Sequence, residues 1–163
     1  FADFFFPEAE WPGLTETLIE TGDWSAVAAL ARDPEDGPLM AIRAQVDAHF
    51  GADRLSNIVA SLPNDDWGTA TAKAIRSGSP LSTNCTIELV RRARESDDIR
   101  AALQQEYRFT SRSASEGDFV EGIRAAIIDK DRNPRWRHAS VEDVTADTVA
   151  AMLSEPPGGD IDI

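Results

Sequence analysis

The amino-acid sequence predicts a mainly α-helical fold with at most one short strand, at the N-terminus. Apolar residues recur three or four positions apart in almost every segment after Pro7. Proline or a short polar residue stands where most of these segments begin, and glycine or proline follows where they end. The sequence contains no internal repeat and no glycine-rich phosphate loop. Many amphipathic helices of this kind form a layer that packs on itself or on another part of a protein.

The first half of the chain opens with an apolar run, residues 1–7, that ends at a proline and predicts a short strand. A strand alone has unpaired edges on both sides, so we expect the chain to begin in the middle of a larger fold. Start and stop residues then predict successive helices over residues 11–22, 23–33, 38–50 and 64–78, and a short turn over residues 54–62.

The second half has stronger helix signals. Ser79-Pro80 combines a capping hydroxyl with a proline at the first helical position, and Cys85 lies on the apolar stripe that follows. Ser96 or Asp97 is expected to open the next helix. Residues 115–118 resemble a capping box before another. The spacing predicts one contact between these last two helices, made by Leu103, Tyr107, Phe119 and Ile123.

The composition and the irregular stretches suggest four segments. Residues 1–7 are the predicted end of a larger fold that begins upstream, and residues 8–78 form a helical segment. Residues 79–155 form a second helical segment, in which residues 129–139 are charged and irregular and a final helix covers about residues 145–153. Residues 156–163 are predicted to form a tail. The 163 residues suffice for one domain with a core.

Charge and cysteine content exclude several classes of protein. The net charge of −13 leaves no basic stripe for nucleic acid or an anionic membrane. No apolar run reaches the ~20 residues of a membrane helix. Cys85 is the only cysteine, so no intrachain disulfide forms, which favours a reducing, cytoplasmic setting.

Metal and nucleophile sites are not expected. His49 and His138 are the only histidines and are far apart in sequence, whereas a zinc site needs three or four ligands at recognisable spacing. Cys85 lies on an apolar stripe, where a buried thiol without a nearby cation is unreactive. We therefore predict structural roles for all three residues and no bound cofactor.

Carboxylates are plentiful, but most pairs stand at helix starts or in loops, where the helix dipole and solvent stabilise them. The exception is Glu121, which lies beside Phe119 and Gly122 on a helical segment. A half-buried glutamate needs a partner, so we predict an ion pair with Arg108 or Arg124 and no catalytic carboxylate in this chain. Gly122 is expected to allow another backbone to come close.

A series of motifs along residues 79–137 resembles the 3-hydroxyisobutyryl-CoA hydrolases, a branch of the crotonase (enoyl-CoA hydratase/isomerase) superfamily. The motifs are Ser79-Pro80, Glu106-Tyr107-Arg108, Asp118-Phe119-x-Glu121-Gly122-x-Arg124-Ala125, Asp129-Lys130-Asp131 and Pro134-x-Trp136. The general superfamily ending fits less well, because Ala126 stands where that ending has phenylalanine. Over residues 1–78 only residues 2–5 and the alternation of helices are similar.

The resemblance implies the helical C-terminal layer of a crotonase-type α/β spiral, with residues 1–7 as the end of the truncated spiral core. It also implies a thioesterase of valine breakdown that cleaves 3-hydroxyisobutyryl-CoA to 3-hydroxyisobutyrate and CoA. In such enzymes two backbone N–H groups form an oxyanion hole, and a Glu and an Asp serve as nucleophile or base around the attacking water. These groups are expected upstream of Phe1, in a missing N-terminal catalytic half, so this chain alone should be inactive. A homo-oligomer is compatible with the family.

Lys130 is the one residue for which the resemblance implies a ligand contact. In the wider superfamily, the lysine of a C-terminal Glu-Lys pair approaches the phosphate end of CoA, and Lys130 is the nearest match. A lysine in the last turn of a helix is also stabilised by the helix dipole wherever it points. Two other interpretations of the chain stay open: the C-terminal region of an enoyl-CoA hydratase or isomerase, and a non-enzymatic module that binds a protein through residues 1–50.

Overall fold

A computed structural model describes residues 3–34 and 37–162. The described residues up to Ala48 form one compact unit, and those from His49 onward form a second. All regular structure in the described ranges is helical, which confirms the predicted fold class. The α-helices are α1 (Trp11–Thr21), α2 (Ser25–Leu30), α3 (Pro38–Ala41), α4 (Arg43–His49), α5 (Leu55–Ser61), α6 (Asp66–Ser77), α7 (Pro80–Arg94), α8 (Ile99–Ser113), α9 (Phe119–Ile123) and α10 (Ala146–Met152). Two 3-10 turns, Glu8–Glu10 and Val141–Asp143, and a π turn, Arg124–Ile128, accompany them.

The short strand expected in residues 1–7 is not formed in residues 3–7, and Phe1 and Ala2 lie outside the described residues. A strand needs a neighbour to bond its backbone N–H and C=O groups. No strand lies within the described ranges to serve as that neighbour. The apolar side chains of Phe4 and Phe5 are accordingly exposed.

The first unit contains the short helices α1, α2 and α3 and nearly all of α4, and it has little core. The helix α1 has a proline in its first turn and ends at Gly22, whose left-handed φ of 62° suits a residue without a Cβ. It packs on α2. None of the described residues 3–34 and 37–48 is buried, and Ile19 and Trp24 are 78% and 74% exposed.

Several predictions for individual helices differ from the structure. The predicted helix over residues 38–50 is broken at Ile42, which separates α3 from α4. The predicted turn over residues 54–62 is the helix α5, because burial of Leu55 and Ile58 stabilises a helix that is short on its own. Asp65 caps α6 in place of Asn64, and Asp98 caps α8 in place of Ser96 or Asp97.

The core of the second unit is built around α7, which packs against α5, α8, α10 and the turn Val141–Asp143. One side of α7 contributes Leu81 and Cys85 to a buried cluster. The other members of that cluster are Val144, Met152 and Leu153. Ile87 packs against a second cluster, formed by Leu55, Ile58, Val59 and Val141. The described core therefore lies within residues 49–162, and the predicted segment border at residues 78 and 79 falls inside this unit.

Side chains of α8 bind residues 154–160, a stretch that forms no helix. Arg112, which is buried, donates hydrogen bonds to the backbone oxygens of Ser154 and Glu155 at 2.5 Å and 2.9 Å. Arg108 forms a two-pronged ion pair with Asp160. Two arginines four residues apart on α8 therefore hold residues 154–160 against that helix.

Candidate functional site

The start of α9 is fixed by Asp118, a buried aspartate that precedes the helix. Its Oδ2 accepts a hydrogen bond of 2.6 Å from Oγ of Ser79, and its Oδ1 accepts one of 3.0 Å from the backbone N–H of Arg137. The predicted capping box at residues 115–118 is wrong, because α9 begins at Phe119 with Asp118, and not Ser115, at the N-cap, and Asp118 makes no side-chain cap bond. Its carboxylate instead joins the starts of α7 and α9 to the segment that contains Arg137.

Of the two predicted ion-pair partners of Glu121, Arg124 is the one that binds it. Nε and Nη2 of Arg124 donate to the two carboxylate oxygens of Glu121 at 2.9 Å and 2.8 Å. The backbone N–H of Arg135 adds a hydrogen bond of 2.6 Å to Oε1 of Glu121. The other candidate, Arg108, is bound to Asp160.

These contacts determine the protonation of the pair. Hydrogen bonds from Arg124, then from the Arg135 backbone, lower the pKa of Glu121 from its ordinary 4.5 to about 2. The pKa of Asp131 is also lowered, first by Arg124 and then by the backbone N–H of Asn133. The carboxylates of Glu121 and Asp131 are therefore ionised at neutral pH, and the guanidinium of Arg124 offsets part of their negative charge.

Arg124 also organises the loop that follows the π turn. Its Nη1 donates to Oδ2 of Asp129 at 2.6 Å and to Oδ2 of Asp131 at 2.8 Å. Its Nη2 donates to the backbone oxygen of Asn133 at 3.1 Å. One guanidinium thus binds three carboxylates and one carbonyl, all within residues 121–133.

Lys130 lies in this loop, two residues beyond the last residue of the π turn, and not in the last turn of an α-helix. It is exposed and has a left-handed φ of 55°. Arg132 shares both properties, with a φ of 52°. Neither side chain forms an ion pair with any residue in the described ranges. The loop therefore carries two cationic side chains that have no ion-pair partner among the described residues.

Gly122 lies against the ring of Trp136, whereas the sequence analysis predicts the close approach of another backbone. A Cβ at this position would lie 3.6 Å from Cη2 of Trp136, which is ordinary van der Waals contact. Beside the ring is an open groove of about 650 Å³, lined by Phe109, Ser113, Phe119, Ile123, Ile127 and Trp136. The expected packing of Phe119 against Leu103 and Tyr107 is wrong, because α9 borders the groove on the Phe109 side of α8 and Phe119 is 57% exposed.

Cys85 and His49, for which structural roles are predicted, lie outside the network around Arg124. Burial raises the pKa of the Cys85 thiol to about 11, which keeps it protonated. His49 contacts Ser61 and the ring of Trp67, as a structural residue does. No group of three or more His, Cys, Asp or Glu in residues 3–34 and 37–162 has the arrangement that holds a metal ion. No helix in these ranges has the length and apolar character of a membrane span.

Sequence reasoning found the partner of Glu121 but missed the larger role of Arg124. The spacing of three residues between Glu121 and Arg124 signals an ion pair on a helix. No comparable signal marks Asp129 and Asp131, because their approach to Arg124 depends on the path of a loop. The bond between Ser79 and Asp118 was missed for the same reason: it joins helix starts far apart in sequence.

A family model described as enoyl-CoA hydratase/isomerase matches residues 1–153. The structure resembles a crystal structure of an enoyl-CoA hydratase from Rhodobacter sphaeroides 2.4.1, with a TM-score of 0.83 and 41% identity. That match covers 97% of this chain and 46% of the other. The similarity is consistent with a helical C-terminal part of the crotonase-type fold.

Curated relatives cover more than one kind of protein. The small ribosomal subunit protein mS47 of Arabidopsis thaliana is 33% identical over 72% of this chain and 30% of its own length. A mitochondrial 3-hydroxyisobutyryl-CoA hydrolase of Gallus gallus is 32% identical over 64% of this chain and 28% of its own length. The chain thus spans less than a third of either relative. On the family match over residues 1–153, it belongs to the enoyl-CoA hydratase/isomerase (crotonase) family.

Proposed function

We propose that this chain is the helical C-terminal part of a 3-hydroxyisobutyryl-CoA hydrolase, which cleaves its thioester to 3-hydroxyisobutyrate and CoA in valine breakdown. The observation that carries the proposal is the network around Arg124. It uses Asp129 and Asp131 together with Glu121, all in the motifs that resemble the hydrolase branch. Similarity to curated hydrolases of that name supports the same substrate class.

In this proposal the bond-breaking chemistry belongs to residues outside the chain. Thioester hydrolysis needs a carboxylate that activates water and donors that stabilise the oxyanion. Glu121 is unsuited to proton transfer near neutral pH, because its pKa is about 2 and both of its oxygens are bound by Arg124. Asp118 is occupied by Ser79 and the Arg137 backbone. The role left to this chain is to support and cover an acyl-CoA site.

Lys130 is the proposed ligand contact of the chain, with the phosphate end of CoA. Its exposure, and the lack of an acidic partner within the described ranges, leave its ammonium available to an anion. Such a contact contributes equally to the ground and transition states, so it strengthens binding without changing the chemical step. A cytoplasmic location is part of the proposal as well.

A hydratase is the alternative within the family, favoured by the similarity to the Rhodobacter enzyme. The two are separated by assaying the full-length protein that contains this sequence with two substrates. The hydrolase proposal expects free thiol from 3-hydroxyisobutyryl-CoA and little loss of the alkene absorbance of crotonyl-CoA. Hydration of crotonyl-CoA without release of thiol would contradict it and support the hydratase.

A non-enzymatic role is a second candidate, favoured by the similarity to the ribosomal protein mS47. Apolar side chains in residues 3–48, among them Trp11, Ile19, Trp24 and Leu39, are exposed and could contact a protein partner. This role expects no turnover of either acyl-CoA by the full-length protein. Turnover of either substrate would decide for an enzyme.

A further inference from the structure

We draw no further inference here: the strongest candidate, the open apolar groove between α8 and α9 that is lined by Phe109, Phe119 and Trp136, carries nothing because no contact among the described residues shows what covers it.

Discussion

Ser79 Oγ donates a hydrogen bond of 2.6 Å to Oδ2 of Asp118, across 39 positions of sequence and between two buried side chains. The same serine oxygen accepts the backbone N–H of Ser82 and so caps α7. Asp118 in turn accepts the backbone N–H of Arg137. The pair therefore joins the start of α7 and the start of α9 to the segment that contains Arg137.

Replacing Asp118 by alanine should lower the free energy of unfolding by about 1–3 kcal/mol, because the Ser79 hydroxyl and the Arg137 N–H lose their acceptor inside the protein. Chemical denaturation monitored by circular dichroism measures this. The control is Asp97→Ala, at an exposed aspartate, which should change the free energy by less than about 0.5 kcal/mol. Equal effects of the two substitutions would show that Asp118 has no special role in stability.

Gly68→Ala should destabilise the protein by about 1–3 kcal/mol, since a Cβ there would lie 2.0 Å from the backbone oxygen of Pro63. That oxygen cannot move without shifting the chain before α6. Gly122→Ala is the matched helical control, because its Cβ meets only Trp136 at 3.6 Å. Thermal unfolding should therefore show a lower Tm for the first variant only. A fall of similar size at Gly122 would mean that the indole contact is tighter than described.

Glu121 should make stability depend on pH in the acid range. Its folded-state pKa is depressed, so its contribution is present above the unfolded value of about 4.5 and is lost as pH falls toward about 2. Unfolding free energies measured between these pH values should fall less steeply in Glu121→Gln than in wild type. Glu142→Gln removes one exposed carboxyl elsewhere and serves as the control. Identical slopes for wild type and Glu121→Gln would contradict the ion pair with Arg124.

Arg112→Met should loosen the chain at Ser154 and Glu155, just before the tail, while Arg108 still binds Asp160. The substitution keeps a long apolar side chain but removes the hydrogen bonds to Ser154 and Glu155. Bonds from a charged donor contribute about 1.5–3 kcal/mol, so Ser154 and Glu155 should exchange their amide hydrogens faster. Arg94→Met, at an exposed arginine of α7, should leave exchange at these two residues unchanged. Protection that persists in Arg112→Met would mean that other contacts hold them.

The helices could be predicted because their signals are local. Ser79 and Pro80 mark the start of α7 whatever packs against it, and Gly22 marks the end of α1. The sequence did not predict the helix α5, because its seven residues are too few to display a full apolar stripe. Its stability comes from burial of Leu55 and Ile58 against residues distant in sequence.

The contacts between elements were harder to predict. Periodicity grouped Phe119 with Ile123, but it does not say which face of a helix is covered, and Phe119 is exposed in this chain. The ion pair of Glu121 followed from a spacing of three residues. The binding of Asp129 and Asp131 to the same arginine did not, because it depends on two left-handed residues that the sequence does not mark with glycine.

The most direct test of the proposed division of labour is release of free thiol from 3-hydroxyisobutyryl-CoA, measured side by side for the full-length protein and for this 163-residue chain. Folding of the isolated chain is verified first by circular dichroism. The account predicts thiol release by the full-length protein and a rate equal to the buffer blank for the chain. Turnover by the chain above that blank would contradict the claim that the catalytic groups lie outside it.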